Sequence, residues 1–397
     1  PASSAGMPTL QQNRGIGDPD LVQMGHNELS PWAKTQHWIC SLWGRRGPAG
    51  AHTLSAAPAA PGEAASTIQH TPLMLAGLGR EGVDLRQQID DGARCVGLSG
   101  LGLDDEALQL LLAGLGDHAS TILELDLQDN QLRLLDPSSV FKCQKLETLN
   151  LDHNVLADEG AGGLACVLGD NGTLKSLSIA HNDIGDGGLG LLGEALAKNA
   201  GLHRLNLRHN DFTTTGGRLL VGAMLVNPRL ALRSIDLSDN ALDDETMRAI
   251  ARLISTNHVV EELDLSATIM TDRGAGFIGM ALTLGQRLRR LRLCNNRLSD
   301  AAAEVMAESL RCNKALVNLE LAGNRVTDLG CSLFIEMVRC NCVINTIDLS
   351  HNMVSESSMR ALSQQIAQRT PGSSPKSATA AQSSSRCQIA SRAIPAN

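Results

Sequence analysis

One short phrase recurs through most of this 397-residue chain. It reads LELDLQDNQL at 123–132, LRRLRLCNNRL at 288–298 and INTIDLSHNMV at 344–354, with an asparagine near the end of each copy. With Thr268 counted in the one copy that lacks the asparagine, the steps between copies are 24, 28, 28, 30, 28, 28, 28 and 28 residues. A nearly fixed period in this range is typical of a repeat protein whose units pack only against their neighbours.

Each unit predicts a strand followed by a helix. Four positions are apolar in all ten copies, as at Leu288, Leu291, Leu293 and Leu298. The middle two are two residues apart, which is the spacing of side chains on one face of a strand. After the asparagine, a small residue and then two apolar residues follow at steps of four, which is helical spacing. Stacked units bury these apolar sets, so the strands should form one parallel sheet inside a curve of bulkier helices.

The asparagine lies where the chain leaves the strand, and its amide can both donate to and accept from buried backbone groups. Thr268 replaces it in one copy, and Leu101 replaces it in a degenerate first copy at 93–103. A single hydroxyl can make only part of the amide's hydrogen bonds. Thr268 therefore predicts either a tolerated weak rung or a local opening of the ladder beside a binding patch.

The unit L-x-x-L-x-L-x-x-N-x-L, followed by a helix with Gly or Ala near its start, resembles the ribonuclease-inhibitor-like class of leucine-rich repeats over about residues 93–370. The resemblance implies an α/β fold, a right-handed solenoid or horseshoe with parallel strands on the concave face and helices on the convex face. Two units depart from the pattern. The unit from Asn130 to Asn154 is shorter, and the unit from Asn210 to Asn240 has two extra residues around Asn227. Both are expected to disturb the convex face locally.

Composition separates the repeats from their flanks, which are rich in small and polar residues. The first flank holds the three tryptophans of the chain, Trp32, Trp38 and Trp43. They predict either an anchor for a protein partner or a local cluster folded back on the solenoid. The predicted organisation is an extended N-terminal arm (1–70), an N-terminal cap (71–92), a solenoid of about ten repeats (93–370) and a flexible C-terminal tail (371–397).

Charge and motifs narrow the classes of function. A net charge of −8 and an aromatic content of 2% argue against nucleic acid as a partner. There is no 18-residue apolar run, so we expect no membrane insertion. The ten cysteines show no C-x-x-C spacing, which favours free thiols in a reducing compartment. Because nucleotide-binding, hydrolase and metalloprotease motifs are absent from the sequence, we predict no catalytic residues, no cofactor and no small-molecule substrate.

One histidine cluster stands out. His153, His181, His209 and His351 precede the repeat position of the asparagine in their units. Neutral imidazole is a common metal ligand, but a line of imidazoles lacks the converging geometry of a tetrahedral site. We therefore predict no metal and interpret these residues as histidines at an exposed turn.

Outward strand positions carry charges whose sign alternates in blocks along the repeats. Such a face suits recognition of a protein with a matching charge pattern, although a merely solvated face would look the same. The predicted protein-binding residues of the concave face are Glu124, Asp126, Asp152, Arg204, Arg208, Asp236, Glu262, Asp264, Arg290, Arg292, Glu320 and Asp348. Trp32, Trp38 and Trp43 are the predicted protein-binding residues of the arm.

These features favour a non-enzymatic interaction scaffold in the cytoplasm or the cytoskeleton, with other protein subunits as partners. By analogy with repeat subunits of similar architecture, the expected setting is a ciliary or flagellar axoneme complex. The alternative is a GTPase-activating protein, because the Ran GTPase-activating protein has the same class of repeats. That family usually ends in a strongly acidic tail, whereas this chain ends in a neutral-to-basic Ser/Ala segment. A ribonuclease-inhibitor-like blocker usually has many more cysteines and concave aromatic residues.

Overall fold

The computed structural model describes residues 94–134, 140 and 143–368. The predicted N-terminal arm, the N-terminal cap and the C-terminal tail lie outside these described residues. So does part of the short unit between Asn130 and Asn154. In the described residues, no helix is both long and apolar enough to span a membrane.

Ten short parallel strands form one sheet in chain order, so the predicted α/β repeat fold is confirmed. The register is constant, and the central Leu263 pairs with Ile235 on one side and Leu291 on the other. Each central residue points inward while its two neighbours point outward, as the two-residue period of a strand requires. The strands are β1 (Cys95–Gly97), β2 (Glu124–Asp126), β3 (Thr148–Asn150), β4 (Ser176–Ser178), β5 (Arg204–Asn206), β6 (Ser234–Asp236), β7 (Glu262–Asp264), β8 (Arg290–Arg292), β9 (Asn318–Glu320) and β10 (Thr346–Asp348).

Helices alternate with most of the strands, and a short 3-10 helix at Gly116–Thr121 precedes β2. Several helices begin after a side-chain cap: the hydroxyls of Thr271 and Ser299 accept a hydrogen bond from the backbone N–H two residues later. The helices in the described residues are α1 (Asp105–Gly114), α2 (Ala157–Leu168), α3 (Asp186–Leu196), α4 (Thr214–Val226), α5 (Asp244–Thr256), α6 (Asp272–Leu284), α7 (Asp300–Cys312), α8 (Asp328–Cys340) and α9 (Glu356–Ala367).

An aspartate ties the start of each of several helices to the preceding helix. Asp244 Oδ1 accepts the N–H groups of Thr271 at 2.8 Å and Gly274 at 3.0 Å, and its Oδ2 accepts the Thr271 hydroxyl at 2.6 Å. A Cβ added to Gly274 would lie 2.5 Å from Asp244 Oδ1. The small residue predicted at this position is therefore needed for the close approach of the two helices. In the same way, the backbone N–H of the next helix's cap residue donates a hydrogen bond to the carboxylate of Asp186, Asp272, Asp300 and Asp328.

The asparagine ladder joins neighbouring repeats at the end of the strands. Asn296 is buried, and its Nδ2 donates to the carbonyl of Leu265 in the preceding repeat at 3.0 Å and to that of Leu293 in its own at 3.2 Å. Its Oδ1 accepts the N–H of Thr268 at 3.1 Å. One side chain thus satisfies backbone groups of two repeats, as expected for a buried amide.

Thr268 forms a weaker rung in this ladder. Its hydroxyl lies 2.9 Å from Asn296 Oδ1 and 3.3 Å from the Leu265 carbonyl, and its single proton can serve only one of them. The N–H of Leu242 donates to the carbonyl of Asn240 in its own turn at 2.9 Å. In six other repeats the corresponding N–H donates to the next asparagine's Oδ1. Because β7 still pairs with β6 and β8, the structure supports a weak rung and not a local opening.

A second asparagine ladder, which we did not predict, lies where the helices end. Asn313 Nδ2 donates to the carbonyls of Leu282 at 2.7 Å and Gly285 at 3.0 Å, and its Oδ1 accepts the N–H of Leu316 at 2.8 Å. The side-chain oxygen accepts a nearby backbone N–H in the same way at Asn171, Asn199, Asn227, Asn257 and Asn341. Their spacing of 28 or 30 residues, with one step of 56 across Gly285, was the available signal in the sequence.

The two extra residues near Asn227 leave helix α4 at full length, but α4 packs less closely against α5 than the neighbouring helix pairs pack, so the expected local disturbance of the convex face is found between these two helices. Helix α4 has 13 residues, like α5 to α8. Asn227 keeps its place in the second ladder, with its Nδ2 2.7 Å from the carbonyls of both Leu196 and Asn199. The extra residues fall between Asn227 and Leu232, where a loop can absorb them without breaking the ladder.

Truncation of an inward-facing leucine should cost a large part of the stability. Leu265 and Leu293 are both fully buried between neighbouring strands. We expect Leu265→Ala or Leu293→Ala to lower the free energy of unfolding by about 2–5 kcal/mol, because the lost contacts leave a cavity. Urea unfolding measures the change. Ile269→Ala is the matched control, since Ile269 is 48% exposed in the same repeat as Leu265 and should change stability by about 0.5 kcal/mol or less. Equal effects of the core and control substitutions would contradict the register.

Restoring the missing rung should stabilise the protein. An asparagine at 268 can donate to the carbonyl of Leu237, as the other asparagines do to the preceding repeat, and can accept the N–H of Leu242. We expect Thr268→Asn to raise the free energy of unfolding by about 1 kcal/mol, the usual net value of a buried hydrogen bond. Thr268→Val keeps the shape but removes the hydroxyl, and it should lower stability. If Thr268→Asn destabilises the protein in urea unfolding, the weak-rung interpretation is wrong.

Candidate protein-binding surface

The candidate site is the outward side of the sheet, which we call the strand face. The first residue of each strand forms one row, the third forms a second row, and the residue two positions further along forms a third. The structure places all twelve predicted concave residues in these rows. They are Glu124, Arg204, Glu262 and Arg290 in the first row, Asp126, Asp236, Asp264, Arg292, Glu320 and Asp348 in the second, and Asp152 and Arg208 in the third.

On β7, β8 and β9 the opposite charges are partnered across the strands. Arg292 Nε lies 3.1 Å from Glu320 Oε2, and its Nη1 lies 3.4 Å from Asp264 Oδ2. Arg290 Nη1 lies 3.5 Å from Glu262 Oε1. The constant register brings residues of opposite sign side by side, where they attract one another. The sign blocks of the sequence are therefore, at this end of the strand face, an internal network of ion pairs.

The arginines of this network are less free than their outward direction suggested. The side chain of Arg292 is only 39% exposed. Burial opposes its charged form, but the attraction of Glu320 and Asp264 outweighs burial and raises the pKa of Arg292. An acidic residue at 292 would place a third negative charge between two carboxylates. Charge reversal here would therefore test the fold as well as any binding.

Several second-row aspartates have a structural task. Asp264 Oδ1 accepts the N–H of Ser266 at 2.9 Å, and Asp236 Oδ1 accepts the N–H of Ser238 at 2.9 Å and its hydroxyl at 2.6 Å. Such bonds close the turn after a strand. The same bond to the residue two positions later recurs at Asp126, Asn150, Asn206 and Asp348.

On β4 and β8 the second row lacks an aspartate or asparagine. There a third-row side chain of the preceding repeat accepts the backbone N–H of the turn instead. Asp152 Oδ1 accepts the N–H of Ala180 at 2.7 Å and the hydroxyl of Ser178 at 2.6 Å. Similarly, the hydroxyl of Ser266 accepts the N–H of Cys294 at 3.2 Å. Asp152, predicted as a binding residue, is thus already engaged in holding the next turn.

Two carboxylates lie side by side at the centre of the face, because Asp236 and Asp264 are partners in the β6–β7 register. Burial raises the pKa of Asp236, and the like charge of Asp264 acts in the same direction. Hydrogen bonds from Ser238 and the charge of Arg208 oppose the shift without cancelling it. This pair is held by the fold at a cost in electrostatic energy, and its surroundings are not those of two freely solvated acids.

Small outward side chains lie together on β4, a feature that the charge pattern of the sequence does not reveal. Ser176, Ser178 and Ala180 occupy the three rows there, and we call them the β4 floor. The next repeat places Arg204 and Arg208 beside them, and both are exposed. Ser176 and Ser178 are half-buried and Ala180 is buried, so a partner's side chain can reach the floor at the two serines.

Three histidines form a stacked column beside this floor. The ring centroids of His153 and His181 are 4.1 Å apart with an interplanar angle of 12°, and those of His181 and His209 are 4.1 Å apart at 23°. Their ring faces are opposed, so their nitrogens do not converge on a common point. Among the described residues, no group of three His, Cys, Asp or Glu side chains could hold a metal ion.

The histidines lie at a turn position with an unusual backbone. The residue before the ladder position has a positive φ in all ten repeats, from 50° at His209 to 71° at Gly100. Gly, Asn, Asp and His tolerate this left-handed conformation better than most residues. The turn therefore explains why a histidine is accepted, but not why three follow one another.

The comparisons with known proteins agree with the repeat geometry. The leucine-rich repeat family profile, described as "Leucine Rich repeat", matches residues 142–165, 170–193, 198–221 and 232–251. No curated protein matches the chain in sequence.

Two solved structures with low similarity are the leucine-rich repeat domain of APL1B and Leiomodin-1 Actin-Binding Site 2. The first has 19% identity and a TM-score of 0.39, and the match covers 76% of each chain. The second has 14% identity and a TM-score of 0.33, and the match covers 45% of this chain and 97% of the other. The finer assignment to the ribonuclease-inhibitor-like class stays a prediction. The four family matches and the ten repeats in constant register together show that this chain contains leucine-rich repeats.

Proposed function

We propose that the chain is a non-enzymatic scaffold that docks a protein partner on the strand face. The observation that carries the proposal is the constant register of ten parallel strands, which presents three continuous rows of outward side chains. Nine steps of ~4.8 Å give these rows a length of about 43 Å. This length suits a standard protein interface of roughly 800 Å² on each partner.

Within this face, we place the centre of docking at the β4 floor and its neighbours on β3 and β5. The floor offers small side chains, and Arg204 beside it is exposed and makes no ion pair with any described residue. An acidic group of the partner can therefore pair with Arg204 without displacing an existing contact. Docking over β7 to β9 would instead require the paired charges of Arg290 and Arg292 to be desolvated, which is costly.

The arm tryptophans are a second contact in this proposal. Trp32, Trp38 and Trp43 lie outside the described residues, and their support comes from composition, since tryptophan is enriched at interface hot spots. The setting we propose is a large assembly such as a ciliary or flagellar axoneme complex. That setting rests on analogy of architecture, and localisation of a fluorescently tagged chain in ciliated cells tests it directly.

A bulky side chain on the β4 floor should block docking. Ser176→Arg adds a long side chain at the first row of β4 without removing any core contact. We expect the amount of partner captured from native extract, measured by quantitative mass spectrometry, to fall at least about tenfold, or ~1.4 kcal/mol, because the added side chain fills the floor and prevents close packing of the partner against it. Unfolding by urea should hardly change, because Ser176 faces outward.

Glu304→Arg is the matched control, because it adds the same side chain to the exposed surface of helix α7. It should leave the captured partner unchanged. Loss of capture by Glu304→Arg with full capture by Ser176→Arg would move the interface to the helices and contradict the proposal. If the partner is a GTPase whose GTP hydrolysis the purified chain stimulates, the GTPase-activating alternative replaces the scaffold.

The arm makes a separate prediction. Replacing Trp32, Trp38 and Trp43 together by alanine should weaken capture of the same partner by about tenfold or more, as expected for hot-spot residues worth at least 1–2 kcal/mol. The melting temperature of the solenoid should not change. A lower melting temperature with unchanged capture would show that the tryptophans pack on the solenoid and that the arm is not an interface.

A further inference from the structure

The histidine column is a run of one residue type that the turn itself does not require. The same left-handed position holds Asp129 and Asp239 in the flanking repeats, and Ala, Asn or Gly in later ones. His351 occupies it alone in the last repeat. The three consecutive imidazoles therefore bring together titratable groups at a place where the backbone would accept residues without charge.

Stacking at 4.1 Å constrains how the column can take up protons. Neutral imidazole rings pack face to face at this distance, whereas two adjacent imidazolium rings repel each other directly. His181 lies between the other two rings, so a charge on it would face a stacked ring on both sides. The central ring is the one that must remain neutral for the stack to persist.

Charged neighbours on both sides reinforce this constraint. Burial lowers the pKa of His181, and the charges of His153, His209 and Arg208 lower it further, while Asp152 acts in the opposite direction without compensating. Asp152 is also engaged, through its hydrogen bonds from Ser178 and Ala180.

The remaining charged groups near the column lie at its ends and in its turns. Arg208 Nε lies 2.7 Å from Asp239 Oδ2, so the far end of the column is already ion-paired. Asp129 occupies the near end, and Asp183 and Asp211 follow His181 and His209 by two residues in the same turns. Among the contacts of the described residues, none of these carboxylates pairs with the ring of His181.

We propose that the column of His153, His181 and His209 is a proton-sensitive element that unstacks on acidification and loosens the turns of these three repeats. The turns carry bonds between repeats: the N–H of His153 donates to the carbonyl of Ala180 at 2.9 Å, and that of His181 to the carbonyl of Arg208 at 3.0 Å. Movement of the rings therefore acts on the links that hold neighbouring strands together.

The direction of the effect follows from proton linkage. In the unfolded chain a histidine has a pKa of about 6.5, and the folded pKa of His181 is lower. Between these two values the unfolded state binds more protons, so acidification favours unfolding. The contribution of His181 to stability is intact above pH ~6.5 and is lost progressively as the pH falls below it.

Where the proposed function is correct, this element also regulates it, because Ala180 of the β4 floor directly precedes His181. Acidification would then weaken docking at the floor. Urea unfolding of the purified chain without a partner tests the element. The result of this test can therefore be interpreted even if the docking proposal is wrong. Conversely, a negative result for the proton-sensitive element does not contradict the docking proposal.

The test is urea unfolding of the purified chain between pH 7.5 and pH 5.5. His181→Asn removes the central titrating ring but keeps a residue that tolerates a φ of 53°. Over this range the unfolding constant of the wild-type chain should increase up to about tenfold more than that of His181→Asn, since one pH unit below the unfolded pKa corresponds to a factor of ten. His351→Asn, an unstacked histidine with a φ of 55°, should keep the wild-type pH dependence.

Equal pH dependence in the wild-type chain and His181→Asn would overturn the proposal. If His181→Asn does not fold, hydrogen–deuterium exchange of the wild-type chain provides the answer. After correction for the intrinsic exchange rate, peptides covering 151–156, 179–184 and 207–212 should exchange faster at pH 5.5 than at pH 7.5, and the peptide covering 349–354 should not. A uniform change in all four peptides would also overturn it.

Discussion

The buried asparagine amide at the end of most strands is the interaction on which the rest of this structure depends. Every strand has only three residues, and so few backbone bonds cannot fix a register alone. Asn296 shows how the amide solves this problem, because its two protons and its oxygen serve backbone groups of its own repeat and of the one before. Each rung thereby makes the position of one repeat depend on that of the next. Thr268 shows that the ladder survives one incomplete rung.

Polar ladders at two other corners repeat the same solution. Asp244 and its counterparts link the helix starts, while Asn313 and its counterparts link the helix ends. The leucine core supplies most of the driving force, but burial of apolar area is not directional and does not specify register. Hydrogen bonds to buried backbone groups are directional, and leaving one unmade costs more than making it gains. The core therefore holds the repeats together, and the ladders decide how they align.

A fixed register has a direct consequence for the surface. It places the same position of successive repeats in one row, so any side chain meets its counterparts from neighbouring units. On β7 to β9 this makes opposite charges pair, and the surface charge of Arg290 and Arg292 is largely used within the protein. On β3 to β5 it gathers small side chains into the β4 floor and stacks three imidazoles at its border. The fixed register thus produces one region, on β7 to β9, whose charges are already paired. It produces another, on β3 to β5, where we propose that a partner or a proton binds.

By itself, the sequence determined the repeat, the inward leucines, the alternation of strand and helix, and the small residue at the helix start. These follow from periodicity, because the spacing of apolar residues reports which side chains are buried. It also placed Arg292 and His181 in the correct rows. Only the tertiary structure decided that Arg292 binds two carboxylates, that Asp152 holds the turn of Ala180, and that the imidazoles stack. Those contacts join residues about 28 positions apart. Each row offers a side chain more than one such neighbour, and side-chain rotamers and local burial select the one that is contacted. Periodicity does not encode either of these.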